Sequence, residues 1–580
     1  MQYSTNDPAR LLTEWMRAGQ EAMQNFNLAL GAGAPFASGA PPNDTADPAA
    51  RLIANVTSAA ELQREAFKSI TDFWTHFAAQ PGSGGVTSAS SVNDRRFANE
   101  AWANDPRFDL VRRAYLAYSS FLEGTVEQTN ADERTKGQLR FGVRQFLDAM
   151  SPSNFLATNP EATQLAIESG GKSLAEGMAL YFQDLAKGRV SMTDENAFAI
   201  GKNLAMTPGA VVYENEMIQL IQYAPTTNAV FERPLIIIPP CVNKFYILDL
   251  QPENSFIRHA IAEGHTVFVV SWRQITADLG HLTWDDYLSE GVMRAIDAAR
   301  AITGESRVNA LGFCVGGTLL ASALAVMATR GEDKIASLTL LTTLLDFTDT
   351  GELGLLVSEE AVAAREASIG SGGILPGKEM AFTFSALRAN DLIWQYVTNS
   401  YLKGKAPPAF DLLYWNADST NLPGPMVTWF LRNAYLENKL AKAGKTIQCD
   451  IPMDFAAVHA PTYVYASRDD HIVPWKTAYQ STRLLGGETI FLLGASGHIA
   501  GVINPPAKGK RNYWVDGATS EDPEEWLSTA SSMPGSWWPH WYQWLAPHSG
   551  AHRRARTRLG SKKYPTIEPA PGRYVLVKAD

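Results

Sequence analysis

The feature that most constrains this chain is the hexapeptide Gly-Phe-Cys-Val-Gly-Gly at 312–317. It has the spacing of a G-x-S-x-G nucleophile elbow, with cysteine in the place of serine. The apolar residues 308–311 before it predict a buried strand, and residues 318–328 after it predict a helix. A strained turn between strand and helix needs the room that glycine leaves, which the elbow supplies at Gly312, Gly316 and Gly317.

Cys314 occupies the nucleophile position of this elbow. The N-terminus of the following helix would direct free N–H groups and partial positive charge at the sulfur, which favours thiolate over thiol. The pattern therefore predicts acyl transfer through a thioester on Cys314. The alternative is that Cys314 only packs helix against sheet, as buried free cysteines often do.

Composition limits the remaining possibilities. A chain of 580 residues is long enough for two or three domains, and its hydrophobic and charged fractions of 45% and 19% are typical of a globular protein. The net charge of −10 argues against generic nucleic-acid binding. The three cysteines, Cys241, Cys314 and Cys449, form no C-x-x-C pair, so we expect no metal site or disulfide framework and a reducing, cytoplasmic location.

Two membrane-related features are also not expected. The N-terminus lacks a basic segment followed by an apolar core, so no signal peptide is predicted. The uncharged run 308–329 is interrupted by Asn309 and by glycines, and it divides into strand, elbow and helix. We therefore predict no transmembrane segment.

Helical periodicity dominates the first third of the chain. Residues 9–30 and 51–79 have helical spacing, with linkers rich in glycine, alanine, proline and serine at 31–42 and 80–91. Residues 94–188 are again mainly helical in pattern. We predict an all-α N-terminal domain over 1–195, whose first helices serve packing or dimer formation. Association with a lipid-like surface is the alternative.

The pattern changes after residue 195. Short apolar runs alternate with helical segments, which predicts a mostly parallel α/β sheet over 196–580 with two buried faces. The predicted strands are 210–213, 218–223, 235–238, 266–271, 308–311, 337–343, 462–466 and 489–493. About 120 residues separate the sixth and seventh of these strands. We predict that this insertion, at about 345–445, forms a cap over the site.

An elbow of this kind predicts an acid and then a histidine later in the chain. Asp469 and Asp470 follow the strand 462–466, and His498 follows the strand 489–493. His498 is the predicted base, taking the proton of Cys314 as a neutral imidazole, and one of the two aspartates would hold its tautomer. Asp346 and Asp349 are weaker candidates for the acid, and His471 is expected only to cap its loop.

An oxyanion hole should accompany this arrangement. One donor is the backbone N–H of Val315, and the second should come from the loop after strand 235–238. We predict Val242 as that donor, with Cys241 and Asn243 as its neighbours.

Long strings of this sequence resemble those of the class I polyhydroxyalkanoate synthases. They lie at 94–102, 239–250, 271–273, 312–317, 416–424, 470–475, 494–506 and 568–574. The resemblance implies an α/β-hydrolase fold with a helical cap insertion, preceded by an all-α N-terminal domain. It also selects Asp470 rather than Asp469 as the acid beside Cys314 and His498.

The same resemblance implies an activity and partners. It implies a polymerase of (R)-3-hydroxyacyl-coenzyme A, such as the 3-hydroxybutyryl thioester, that releases coenzyme A as the leaving group and uses no cofactor. It implies a homodimer at the surface of cytoplasmic polyester granules, in contact with the growing chain and with granule-coat proteins. Two alternatives remain: a cysteine-dependent thioesterase or lactone hydrolase, and a non-catalytic granule scaffold.

Overall fold

The computed structural model describes residues 94–579 of the chain, and these form two compact units. The first contains residues 94–194 together with Phe382–Ala409, and the second contains residues 195–381 and 410–579. The insertion predicted at about 345–445 is therefore divided between the units. The helices predicted at 9–30 and 51–79 lie outside the described residues.

The first unit is helical over the segment for which helices were predicted. Its α-helices are α1 (Ala101–Asn104), α2 (Pro106–Gln128), α3 (Glu133–Ala149), α4 (Pro160–Glu168) and α5 (Lys172–Lys187). The segment Phe382–Ala409 adds π-helical turns at Asn390–Trp394 and Val397–Leu402. Side chains of Asp105, Asp132 and Asn159 accept N–H bonds in the first turns of α2, α3 and α4. These caps explain where the helices begin. A core around Trp102, Tyr115 and Phe146 holds the first three helices together.

The second unit is built on a mixed sheet that has eleven strands within residues 195–579. Its strands are β1 (Gly209–Glu214), β2 (Ile218–Tyr223), β3 (Leu235–Ile238), β4 (Val267–Trp272), β5 (Val308–Phe313), β6 (Ile335–Leu341), β7 (Thr462–Ser467), β8 (Thr489–Gly494), β9 (Asn512–Val515), β10 (Ser531–Pro534) and β11 (Glu568–Pro569). The order across the sheet is β10-β9-β8-β7-β6-β5-β3-β4-β2-β1-β11. The strands from β8 to β4 in this order are parallel, and the flanking ones are antiparallel.

Both faces of the parallel strands are buried. In β3, Leu235 and Ile237 belong to one hydrophobic cluster, while Ile236 and Ile238 belong to the other. Adjacent strand residues point to opposite faces, so a continuous apolar run is what a sheet covered on both sides requires. This explains why each of the eight predicted strands is present to within two residues at either end.

Helices and turns connect the strands. The α-helices of this unit are α6 (Phe256–Ala262), α7 (Trp284–Asp286), α8 (Arg294–Thr303), α9 (Val315–Thr329), α10 (Gly351–Leu355), α11 (Glu359–Ile369), α12 (Gly377–Leu387, which runs into the other unit), α13 (Asp411–Asn416), α14 (Gly424–Phe430), α15 (Trp475–Leu484), α16 (His498–Val502), α17 (Pro523–Thr529) and α18 (Trp538–Leu545). The turns at Tyr287–Met293 and Leu431–Leu436 are π-helical. None of the helices in the described part of the chain is long and apolar enough to span a bilayer.

Candidate active site

The elbow lies where β5 passes into α9. Cys314 is the residue between them, with φ 53° and ψ −131°, a left-handed conformation that is strained for a residue with a side chain. Its N–H donates to the Leu341 carbonyl at 2.9 Å, and its carbonyl accepts from the Thr343 hydroxyl at 3.2 Å. Bonds on both sides of the residue hold this strained turn in place.

Each glycine of the elbow stands where another backbone or side chain comes too close for a Cβ atom. A Cβ at Gly312 would overlap the Cα of Gly317, and one at Gly316 would overlap the Ile238 carbonyl oxygen. At Gly317 it would overlap the Thr343 hydroxyl. The glycine spacing is therefore a requirement of close packing between strand, helix and neighbouring loops.

The predicted acid and base come together at the carboxyl ends of β7 and β8. Asp470 Oδ2 lies 2.6 Å from Nδ1 of His498, and Asp470 Oδ1 accepts the N–H groups of Ile472 and Val473 at 2.9 Å each. The Asp470 side chain is fully buried, whereas Asp469 is exposed. The geometry thus pairs Asp470, and not Asp469, with the imidazole.

His498 is oriented by its surroundings. Its ring stacks on Phe313, the last residue of β5, at 5.7 Å between ring centres. Because Nδ1 faces Asp470, Nε2 is on the side of the ring away from the carboxylate. Cys314 lies within hydrogen-bonding reach of the imidazole.

The electrostatics of this group favour a charged pair. Burial opposes the imidazolium form of His498, but the Asp470 carboxylate and then the Cys314 sulfur outweigh it and raise the pKa of His498 well above its ordinary value. His498 is therefore favoured in its protonated form beside the Asp470 carboxylate.

The weaker candidates lie in turns. Asp346 accepts the N–H and hydroxyl of Thr348, at 2.7 Å for the N–H, and Asp349 accepts the Gly351 N–H. These bonds are local to the loop after β6, and Asp346 also accepts from the Asn438 side-chain amide at 2.9 Å. His471 is half-buried, next to the acid.

The predicted oxyanion donors are on two elements. Val315 is the first residue of α9, where a backbone N–H has no acceptor within the helix. Val242 lies in the loop after β3, and its carbonyl accepts the Thr420 N–H at 3.2 Å. Burial raises the pKa of the neighbouring Cys241 to about 12, so that thiol stays protonated and is a poor nucleophile.

Two residues near the site were not predicted. Tyr435, in the insertion, packs against Phe347 and Phe430, and burial together with the nearby Cys314 sulfur raises its pKa. Thr420 bonds the loop that carries Val242. Tyr435 carries no signal in a single sequence, and the resemblance of the string 416–424 does not point Thr420 to the loop after β3. Both residues approach the site only through folding of the insertion.

The described residues offer no evident metal site. Within residues 94–579, no group of three or more histidine, cysteine, aspartate or glutamate side chains is arranged to hold a metal ion. The arrangement of Cys314, His498 and Asp470 can instead activate a thiolate and shuttle one proton.

Comparison with known proteins places the chain in a family. A family model described as the Poly-beta-hydroxybutyrate polymerase (PhaC) N-terminus matches residues 93–260, and an alpha/beta hydrolase fold model matches residues 234–505. A poly(3-hydroxyalkanoate) polymerase subunit PhaC of Cupriavidus necator is 49% identical, with 99% of this chain and 96% of that protein covered. The chain belongs to the poly(3-hydroxyalkanoate) polymerase family.

Further members of this family extend the comparison. The Rhizobium meliloti polymerase subunit PhaC is 39% identical, covering 100% of this chain and 96% of its own length. A Methylorubrum extorquens polymerase is 45% identical, covering 84% and 81%. The expected α/β-hydrolase fold is confirmed, and the stretch matched by the hydrolase model contains Cys314, Asp470 and His498.

Proposed function

We propose that this protein is a polyester synthase that polymerises (R)-3-hydroxyacyl-coenzyme A and releases coenzyme A. The supporting observation is the similarity along nearly the whole chain to proteins named poly(3-hydroxyalkanoate) polymerase. The site is consistent with this activity, since it offers a cysteine at an elbow beside a paired histidine and aspartate. Cys314, His498 and Asp470 are the proposed nucleophile, base and acid.

The first step is acylation of the enzyme. Cys314 gives its proton to His498 and attacks the thioester carbonyl as a thiolate, and the negative charge that develops on oxygen is met by the N–H groups of Val315 and Val242. The carbon–sulfur bond to coenzyme A then breaks, and the leaving thiolate takes the proton of His498. One thioester is exchanged for another, so this step is nearly thermoneutral.

The second step extends the chain. Neutral His498 takes the proton of a substrate 3-hydroxyl, and that oxygen attacks the acyl group held on Cys314. An ester bond forms, Cys314 leaves as a thiolate, and the thiolate–imidazolium pair is restored. The lengthened coenzyme A thioester then acylates Cys314 again.

Water must be kept from the acyl-enzyme, or the product is a free acid. The insertion between β6 and β7 is the proposed shield, and Tyr435 lies on it close to Cys314. We further propose a homodimer at cytoplasmic polyester granules, in contact with granule-coat proteins, with residues 1–195 serving association.

Purified protein mixed with (R)-3-hydroxybutyryl-coenzyme A tests the proposal, with Cys314→Ala as the matched control. We expect coenzyme A release with rising turbidity from insoluble polyester, and neither from the variant. Release of coenzyme A with only soluble 3-hydroxybutyrate as product would indicate a thioesterase and not a synthase. Coenzyme A release by the variant equal to that of the wild type would remove Cys314 from the reaction. No release from either protein, with six- to ten-carbon substrates as well, would favour the scaffold.

A further inference from the structure

The loop that follows β3 is bonded along one side by a segment of the insertion. Residues 239–244 form this oxyanion loop, and residues 415–421, which we call the strap, run antiparallel to it, with Asn243 opposite Ser419. At one end the Trp415 indole N–H donates to the Lys244 carbonyl at 2.7 Å. Both segments belong to the same compact unit.

Thr420 makes the central contacts of the strap. Its hydroxyl donates to the Cys241 carbonyl at 2.5 Å, and its backbone N–H donates to the Val242 carbonyl at 3.2 Å. The Thr420 residue is 2% exposed, so water does not compete for these bonds. One residue therefore holds two consecutive carbonyl groups of the loop on the same side.

Because the peptide group is planar, the direction of each carbonyl fixes the direction of the N–H group of the next residue. In a trans peptide the carbonyl oxygen and the N–H of the next residue point in opposite directions. The peptides after Cys241 and Val242 are trans. The N–H groups of Val242 and Asn243 therefore both face away from the strap, and successive N–H groups on one side make an anion-binding concavity.

The loop begins against the elbow. Its first residues approach the start of α9 so closely that a Cβ on Gly316 would overlap the carbonyl oxygens of Ile238 and Pro239. The Trp272 indole N–H holds the Pro239 carbonyl at 2.9 Å. The loop is thus anchored against the elbow at its beginning and turned by the strap in its middle.

We infer that Thr420 is a positioning residue for the oxyanion hole, since its hydroxyl and N–H turn two loop carbonyls toward the strap and their amides toward the reacting carbonyl. This inference rests on the proposed function and extends it to a residue of the insertion. It assigns Thr420 no contact with substrate. It also adds the N–H of Asn243 to that of Val242 as an oxyanion donor.

Substitutions that separate the hydroxyl from the shape of the side chain test this role. Thr420→Val removes the donor at nearly constant volume, and Thr420→Ser retains it. We expect kcat for coenzyme A release to fall about tenfold in the valine variant, less than the loss of a whole donor, with KM within about twofold. The serine variant should recover most of the rate.

Thr428→Val is the matched control. Thr428 is a buried threonine of the same insertion, but its hydroxyl bonds the Gly424 carbonyl one turn earlier in α14. This variant should retain the wild-type kcat. An unchanged kcat in Thr420→Val, an equal loss in Thr420→Ser, or an equal loss in Thr428→Val would each overturn the inference.

Misfolding of a variant and failure of the synthase proposal can each be distinguished from failure of this inference. Thr420→Ala and Thr420→Ser, which differ by the hydroxyl alone, repeat the comparison if the valine variant does not fold. If the alanine variant also fails to fold, Thr420 is structural and the inference is wrong. Coenzyme A release reports acylation whether the product is polymer or free acid, so failure of the synthase proposal shows in the product and not in this comparison.

Discussion

The elbow helix α9 and the insertion helix α11 are held in place by different means. Every residue from 315 to 327 in α9 is buried, and the helix lies in the main hydrophobic core. In the insertion, α11 buries Val362 while most of its other residues are at least partly exposed. Arg432 links this helix to the π-helical turn at Leu431–Leu436 through ion pairs with Glu359 and Glu366.

The comparison indicates that α9 is the rigid element near the site and that α11 can adjust. Apolar burial over a whole helix fixes the nucleophile through many contacts at once. Half-exposed ion pairs contribute little to stability and are screened by salt. Segments held in this way open locally at lower free energy than a core helix.

Replacing the buried acid should have the largest effect. Asp470→Asn keeps the size of the side chain but removes the charge that pairs with His498, and we expect kcat to fall about 10³- to 10⁴-fold. Asp469→Asn, at the exposed neighbour, should change kcat less than about twofold. Steady-state coenzyme A release measures both, and similar losses in the two variants would contradict the assignment of Asp470.

Asp470→Asn should also change how the free energy of unfolding depends on pH. A raised pKa of His498 stabilises the folded state fully below the ordinary histidine pKa of about 6.5, and the contribution is lost as pH rises through the raised value. Without the carboxylate this pKa falls. The difference in free energy of unfolding between wild type and Asp470→Asn should therefore shrink at alkaline pH, as denaturant titrations at several pH values would show.

A methyl group in the elbow tests the rigid region directly. Gly316→Ala places a Cβ against the carbonyl oxygens of Ile238 and Pro239, which are backbone atoms and yield little. Overpacking of this kind costs about 1–3 kcal/mol of unfolding free energy, and displacement of the elbow should lower kcat about a hundredfold. Gly124→Ala in α2, where a Cβ meets no neighbour, should leave kcat unchanged and raise the unfolding free energy by about 0.5–1 kcal/mol, since alanine favours the helix.

A single ion-pair residue of the insertion should have the smallest effect on stability. Arg432→Gln should lower the unfolding free energy by no more than about 1 kcal/mol. Hydrogen exchange over 359–369 and 431–437 should nevertheless increase, because the links between these segments are lost. Arg294→Gln at the start of α8 is the control: it removes an exposed pair with Glu290 of the preceding π-helical turn and should leave exchange in the insertion as it was.

Periodicity located most of the sheet but not its edges. The strands β2 and β3 begin and end at the predicted residues: β3 is an unbroken apolar run, and β2 combines four apolar or aromatic residues with two buried glutamines. The strands β9 and β10 were missed, since β9 has only four residues and all four residues of β10 are exposed and show no apolar pattern. Strand β11 has two residues, too few for any periodicity to appear.

The sequence by itself determined the elbow, its glycines and the order of acid and base, because a nucleophile turn demands particular small residues at fixed spacing. It left Asp469 and Asp470 open on the residues alone, and burial of Asp470 against His498 was decided by the loop after β7. Only the tertiary structure brought Thr420 to the loop after β3 and Tyr435 to Cys314. These contacts join residues more than a hundred positions apart in the sequence, so no local sequence pattern could predict them.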